Sequence, residues 1–117
     1  MLVQTLRNSL DHFETDEPPI PEAPCADDLR PWRDRIDSID RAVVELLNER
    51  SRCANVIGHI KKNLDIPVYA PRREEEVLTN AMGANRGPLP DISIRRIIER
   101  IIDETRNLER KKYQDEE

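Results

Sequence analysis

LRPWRDRIDSIDRAVVELLNERSRCANVIGHIKK, residues 29–62, is the stretch whose reading decides the fold. Leu29, Ile36, Ile39, Val43, Leu46, Leu47, Ala54, Ile57 and Ile60 recur at steps of three, four and seven, which is the period of one face of an α-helix. Asp27 or Asp28 can cap its start, and Pro31 falls in the first turn, where a missing N–H costs no hydrogen bond. The spacing predicts a helix over 27–64, well beyond the average globular helix of about 10–14 residues. A helix this long is either a coiled coil or a bundle helix that outruns its own domain. Both need a partner surface, because the rest of a 117-residue chain cannot cover it. A dimer is therefore expected.

Working outward, NLDIPVYAP (63–71) breaks the helix. Pro67 and Pro71 each push the preceding residue toward an extended shape, so Val68 and Tyr69 make a brief crossing. Pro71 opens a second helix that runs to about Gly83, with Glu74 and Glu75 in its first turn, where acids suit the helix dipole. Gly83 and NRGPLP (85–90) are its stop signals. A third helix is predicted from Asp91, as cap, to Lys112. Its apolar stripe is Ile94, Ile97, Ile98, Ile101, Ile102, Thr105 and Leu108, and Arg110, Lys111 and Lys112 suit its end. No strand pattern emerges. The expected fold is all-α: a three-helix protomer with a long, a short and a medium helix.

Composition separates residues 1–28 from the rest. They carry one basic side chain against seven acidic ones, whereas residues 29–117 carry 18 basic and 17 acidic. DEPPIPEAPCADD (16–28) holds four prolines among acids and reads as a flexible linker or arm. MLVQTLRNSLDHF (1–13) is weakly amphipathic but too short to be a stable helix alone. The chain thus divides into an acidic, Pro-rich leader (1–28), a helical domain (29–113) and a disordered tail (114–117). With four aromatic rings besides histidine, Phe13, Trp32, Tyr69 and Tyr113, the core must be aliphatic.

Several function classes are disfavoured. Nucleic-acid binding needs a positive surface field, and no basic excess supplies one. Cys25, Cys53, His12 and His59 have no metal-ligand spacing. No apolar run is long enough to span a membrane, and no signal-peptide pattern opens the chain. Two free thiols suit a reducing cytoplasm.

The charges near the apolar faces are more informative. Steps of three or four from Val43 and Leu47 reach Arg50, Ala54, Ile57 and Lys61, with Arg33 three residues before Ile36. On the third helix Thr105 and Glu109 extend the line from Ile98, Ile101 and Ile102. Long side chains can snorkel from such positions. Three spaced cations and one acid on inward or half-inward faces instead suggest a bound anion, since buried charge is costly without compensation, and guanidinium forks suit carboxylates. Cys53 lacks a histidine base and Ser51 has no triad partners. The remaining options are plain anion binding, or catalysis by orientation and electrostatics.

These residues resemble the all-helical (type II) chorismate mutases in their single-domain form. The likeness rests on residues 29–62, on IPVYAPRREEEVL (66–78) and on GPLPDISIRRIIERIIDETRNLE (87–109), with RxxIDxID, LLNER, IGxIK and PRREEEVL in combination. It implies an intertwined helical homodimer with shared sites. It also implies cofactor-free conversion of chorismate to prephenate, on the way to phenylalanine and tyrosine. Carried over by position, Arg33 would reach into the partner subunit's site, while Arg50 and Lys61 serve their own. These cations would grip the two substrate carboxylates, and Lys61 would donate to the ether oxygen of the breaking C–O bond. Arg73 would lie beside the ring carboxylate region and Glu74 would accept from the ring hydroxyl. Thr105 takes a position that is often serine near a carboxylate, and Glu109 one that is glutamine or glutamate.

The chemistry agrees with this resemblance. An intramolecular Claisen rearrangement needs no nucleophile, only selection of the compact conformer and stabilisation of charge growing on the ether oxygen. Two positions depart from the common pattern. Ala70 stands where many members have aspartate, which removes a polar contact to the ring hydroxyl. Isochorismate-pyruvate lyases of the same fold can also carry alanine there, so a lyase is an alternative reading, as is a non-catalytic chorismate-binding or regulatory dimer. Glu109 would repel the developing oxyanion as a carboxylate but donate to it as the neutral acid, so its pKa is expected to be raised. The leader could also mediate association with another shikimate-pathway enzyme.

Overall fold

The structure is a computed structural model that describes residues 18–115, with side chains through residue 111. The expected helix within 1–13, and most of the leader, lie outside the described residues. Two compact units divide the chain, residues 1–46 and 47–117. The boundary falls within the first helix, α1 (Leu29–Asn63).

In the first unit, residues 18–25 are exposed and without helix, and a 3₁₀ turn covers Ala26–Asp28. The Asp28 carboxylate accepts from the Cys25 N–H at 2.8 Å, and the Asp28 N–H donates back to the Cys25 carbonyl at 3.1 Å. This reciprocal pair leads directly into α1, which begins at Leu29 and keeps Pro31 in its first turn. Leu29, Trp32, Ile36, Val43, Val44 and Leu46 are all exposed in the single chain. The apolar period is therefore present, and the described residues of the single chain leave this face uncovered.

In the second unit, α1 stops before Pro67 is reached. Asp65 adopts a left-handed conformation (φ 55°), which an aspartate tolerates better than most residues. The Ile66 N–H then reaches the Lys61 carbonyl at 2.9 Å, and the Asp65 N–H reaches that of Lys62 at 3.3 Å. This is the Schellman arrangement, with aspartate in the place usually taken by glycine. The stop lies within the 63–71 stretch expected to break the helix, ahead of both of its prolines.

The second helix, α2, spans Pro71–Ala84. Pro71 occupies its first turn, and the preceding Ala70 gives no side-chain cap. Gly83 is not its terminator: it lies inside α2, and Asn85 ends the helix in an extended conformation (ψ 128°). Asn85 also organises the loop, donating to the Leu89 carbonyl at 2.8 Å and to Asp91 Oδ1 at 2.7 Å, while accepting from the Gly87 N–H at 3.1 Å. Gly87 has φ 77°, a value its missing side chain permits.

The third helix, α3, spans Asp91–Asp115. Asp91 is its first residue rather than its cap. The Pro90 carbonyl accepts the opening bonds from Ser93 and Ile94, and the Asp91 carboxylate is held by Asn85. The helix continues three residues past Lys112 and so takes in the start of the expected tail, whose residues 116 and 117 lie outside the described residues.

α2 and α3 pack together, around Leu78 at 5% exposure. Glu75 adds a tie between them, taking Arg95 Nη1 and Nη2 at 3.4 and 3.5 Å. Among the described residues, Leu78 is the single large apolar side chain that is buried. No described helix is long and apolar enough to cross a membrane, and no described residues form a strand.

Candidate active site

Within the second unit, the last turns of α1 line a cavity of about 790 Å³ together with α2, α3 and the crossing before α2. Ala54, Ile57, Val68, Val77 and Ile102 give it an aliphatic wall. Set into that wall are five cations, Arg50, Lys61, Arg73, Arg106 and Arg110, against two carboxyls, Glu74 and Glu109. Since residues 29–117 are almost neutral in sum, folding concentrates positive charge here. Cys53 also lines the cavity, and no histidine is among the described lining residues to act as its base.

Arg50 and Lys61 are eleven residues apart on α1, about three turns, and so share one face. Arg50 is half-buried and its Nη1 donates to Thr105 Oγ1 at 3.4 Å. Lys61 is anchored at both ends. Its carbonyl is part of the left-handed cap around Asp65, and its Nζ donates to the Val68 carbonyl at 3.4 Å. That bond uses one of the three ammonium hydrogens and leaves two for a ligand oxygen.

Glu109 is half-buried on α3. Burial pushes its carboxyl above the ordinary carboxylate range, and the nearby charges of Lys61 and Arg106 offset only part of that rise. Glu74, in the first turn of α2, is held through Oε1 by Arg106 Nη2. The Arg106 guanidinium also lies over the Tyr69 ring, 4.8 Å from its centroid, a distance that permits a cation–π contact. Arg73 behaves differently. It lies on the cavity wall, yet its side chain is 62% exposed and its Nη1 pairs with Glu76 at 3.3 Å.

Residues 32–110 match the sequence family described as chorismate mutase type II. The chain belongs to this family. It is 42% identical over 82 residues to a bifunctional chorismate mutase/prephenate dehydratase from Neisseria gonorrhoeae, covering 70% of this chain and 22% of that protein. It is 38% identical over 45 residues to a chorismate mutase from Methanocaldococcus jannaschii, covering 38% of this chain and 46% of that one. A solved chorismate mutase from Thermus thermophilus superposes with a TM-score of 0.68 at 35% identity, covering 70% of this chain and 93% of that chain. The chain thus spans about a fifth of the length of the bifunctional relative and nearly all of the Thermus chain.

Of the residues singled out from sequence, the cavity gathers Arg50, Lys61, Arg73, Glu74, Thr105 and Glu109. Arg33 belongs to the first unit, is exposed, and is not among the lining residues. Ala70 lines the cavity, half-buried, at the position where it presents no polar atom. Sequence reasoning missed Arg106 and Tyr69. Arg106 interrupts no apolar stripe and reads as a surface cation beside Thr105, while Tyr69 reads only as part of an extended crossing. The available signal was Arg106 standing three residues before Glu109 on α3, hence on nearly the same helix face.

Proposed function

We propose that the protein catalyses the intramolecular rearrangement of chorismate to prephenate, as a homodimer and without a cofactor. The observation that carries this reading is the cavity's charge: five cations and two carboxyls in an aliphatic wall, suited to a compact dianion. Membership of the chorismate mutase family supports the same substrate. The reaction breaks a C–O bond and forms a C–C bond within one molecule, so neither a nucleophile nor a net proton transfer is needed.

In this reading Arg50 holds one substrate carboxylate, oriented by Thr105. The second carboxylate is held by the partner subunit's copy of Arg33, which would reach into this cavity as the resemblance implies. Lys61, held by its bond to the Val68 carbonyl, directs another of its three N–H groups to the ether oxygen, where negative charge grows in the transition state. A donor held in place before reaction lowers the barrier because little reorganisation remains to be done. Protonated Glu109 donates to the same oxygen, consistent with the upward push on its carboxyl. Glu74 and Arg73 serve the ring side. The dimer is supported by the open apolar face of α1, with Ile36, Val43 and Val44 all exposed in one chain.

The test is to incubate the purified protein with chorismate and, separately, with isochorismate. Formation of prephenate is expected. Salicylate and pyruvate from isochorismate would identify a lyase instead, a reading that Ala70 on the cavity wall keeps relevant. Binding of chorismate without turnover would identify a ligand-binding module.

A further inference from the structure

Arg106 is the cavity cation to which neither the helical pattern nor the resemblance assigns a role. It is also the one with the most organised surroundings. Its Nη2 holds Glu74 Oε1, and the two side chains are 31% and 29% exposed. Its guanidinium carbon lies over the Tyr69 ring, 4.8 Å from the centroid. These contacts tie together α3, the first turn of α2 and the crossing between α1 and α2. By contrast Arg73, the sequence neighbour of Glu74, points its charge outward to Glu76.

A glutamate in the first turn of a helix has three freely rotating bonds, and ordering them on ligand binding costs free energy. A planar guanidinium that lies over an aromatic ring and is paired with a carboxylate has less freedom than an open one, so it can hold the carboxylate still beforehand. A carboxylate has acceptor sites on both oxygens. We propose that Arg106 is a positioning residue: lying over Tyr69, it holds one oxygen of Glu74 and leaves the other to accept a hydrogen bond from a hydroxyl-bearing ligand in the cavity. This rests on the reading of the cavity as the chorismate site. Arg106 need not touch the substrate, and it acts through Glu74.

The experiment is a double-mutant cycle on the full chain, with chorismate as probe. Arg106→Leu is expected to raise KM about tenfold with a smaller change in kcat, a coupling within the usual range for contacting charged groups. In the Glu74→Gln background the same substitution is expected to change KM by less than about twofold, because the group it acts through is already altered. A residue that only supports packing would give the same loss in both backgrounds. Far-UV circular dichroism checks that the variants remain helical. If Arg106→Leu does not fold, Arg106→Lys carries the test. It keeps the charge but loses the planar fork and its place over the ring, and KM is expected to rise several-fold. A wild-type KM in the folded variant, or a tenfold loss that persists beside Glu74→Gln, overturns the assignment. Absence of chorismate turnover in the wild-type protein overturns the reading of the site and this inference with it.

Discussion

Arg50 and Thr105 are joined by a hydrogen bond in which the arginine is the donor, at 3.4 Å, while the threonine hydroxyl spends its own proton on the Ile101 carbonyl at 2.9 Å. The direction of this chain matters. A threonine whose proton is committed to its own helix has only acceptor capacity to offer, so it orients the guanidinium rather than binding a carboxylate itself.

It follows that Thr105→Val should act through Arg50. The isosteric change removes the acceptor and leaves a half-buried guanidinium short of one partner, at a cost of about 1–3 kcal/mol. We expect a several-fold rise in KM for chorismate with kcat little changed, while Thr105→Ser restores wild-type behaviour. Steady-state kinetics on both variants decide this. A Thr105→Val enzyme that keeps its KM would mean Arg50 is oriented by other groups.

Lys61→Ala tests the electrostatic part of the mechanism. Loss of one preorganised donor at a developing oxyanion lowers kcat by about a hundred- to a thousandfold. Lys61 is half-buried and its ammonium group holds the rest of the protein through one long bond to Val68 among the described residues, so the helical circular dichroism should not change. Turnover that survives this substitution would contradict the role given to Lys61.

Glu109 gives a pH dependence whose sign is determined. Burial raises its folded-state pKa above the ordinary value, so the folded chain holds the proton more tightly than the unfolded one. The associated stability is present below the ordinary carboxylate range and is lost as pH rises through the raised value. Activity should fall over the same upper limb, because only the neutral acid can donate to the ether oxygen. Glu109→Gln should remove that limb from both the rate and the denaturation midpoint. A kcat/KM that is flat from about pH 5 to 9 in the wild type and matches the glutamine variant would exclude a protonated Glu109.

The open face of α1 makes a prediction about assembly. Ile36 is 56% exposed in the single chain, and substitutions at such exposed sites ordinarily shift stability by no more than about 0.5 kcal/mol. If a second copy covers this face, Ile36→Asp places an unpaired charge in an apolar seam and the dimer dissociates or unfolds. Light scattering after gel filtration reads the mass directly. A monomeric wild-type protein, or a variant that stays dimeric and fully folded, would rule out Ile36 at a subunit seam.

The sequence by itself determined the three helices, their order and most of their limits. Apolar residues at steps of three and four can bury one face only as a helix, and Pro71 leaves no choice about where α2 starts. Charge and polarity beside an apolar stripe also pointed to Arg33, Arg50, Lys61, Thr105 and Glu109, of which all but Arg33 line the cavity, whereas Arg73 and Glu74 were named only through the family resemblance. What the sequence misjudged were local bonds that no period encodes. The stop of α1 falls in the expected 63–71 stretch but is made by left-handed Asp65, ahead of its prolines. Asn85, the first residue of the expected NRGPLP stop, organises the end of α2, while Gly83 lies inside it.

Only the tertiary structure decided which charges meet. Arg106 and Glu74 are distant in sequence and carry no shared motif, and it is the packing of α2 on α3 that brings fork and carboxylate together. Folding likewise leaves Arg73 paired with Glu76 and buries Glu109 enough to raise its carboxyl. Helical period is a property of neighbours along the chain, whereas desolvation and charge pairing depend on what folding places around a side chain.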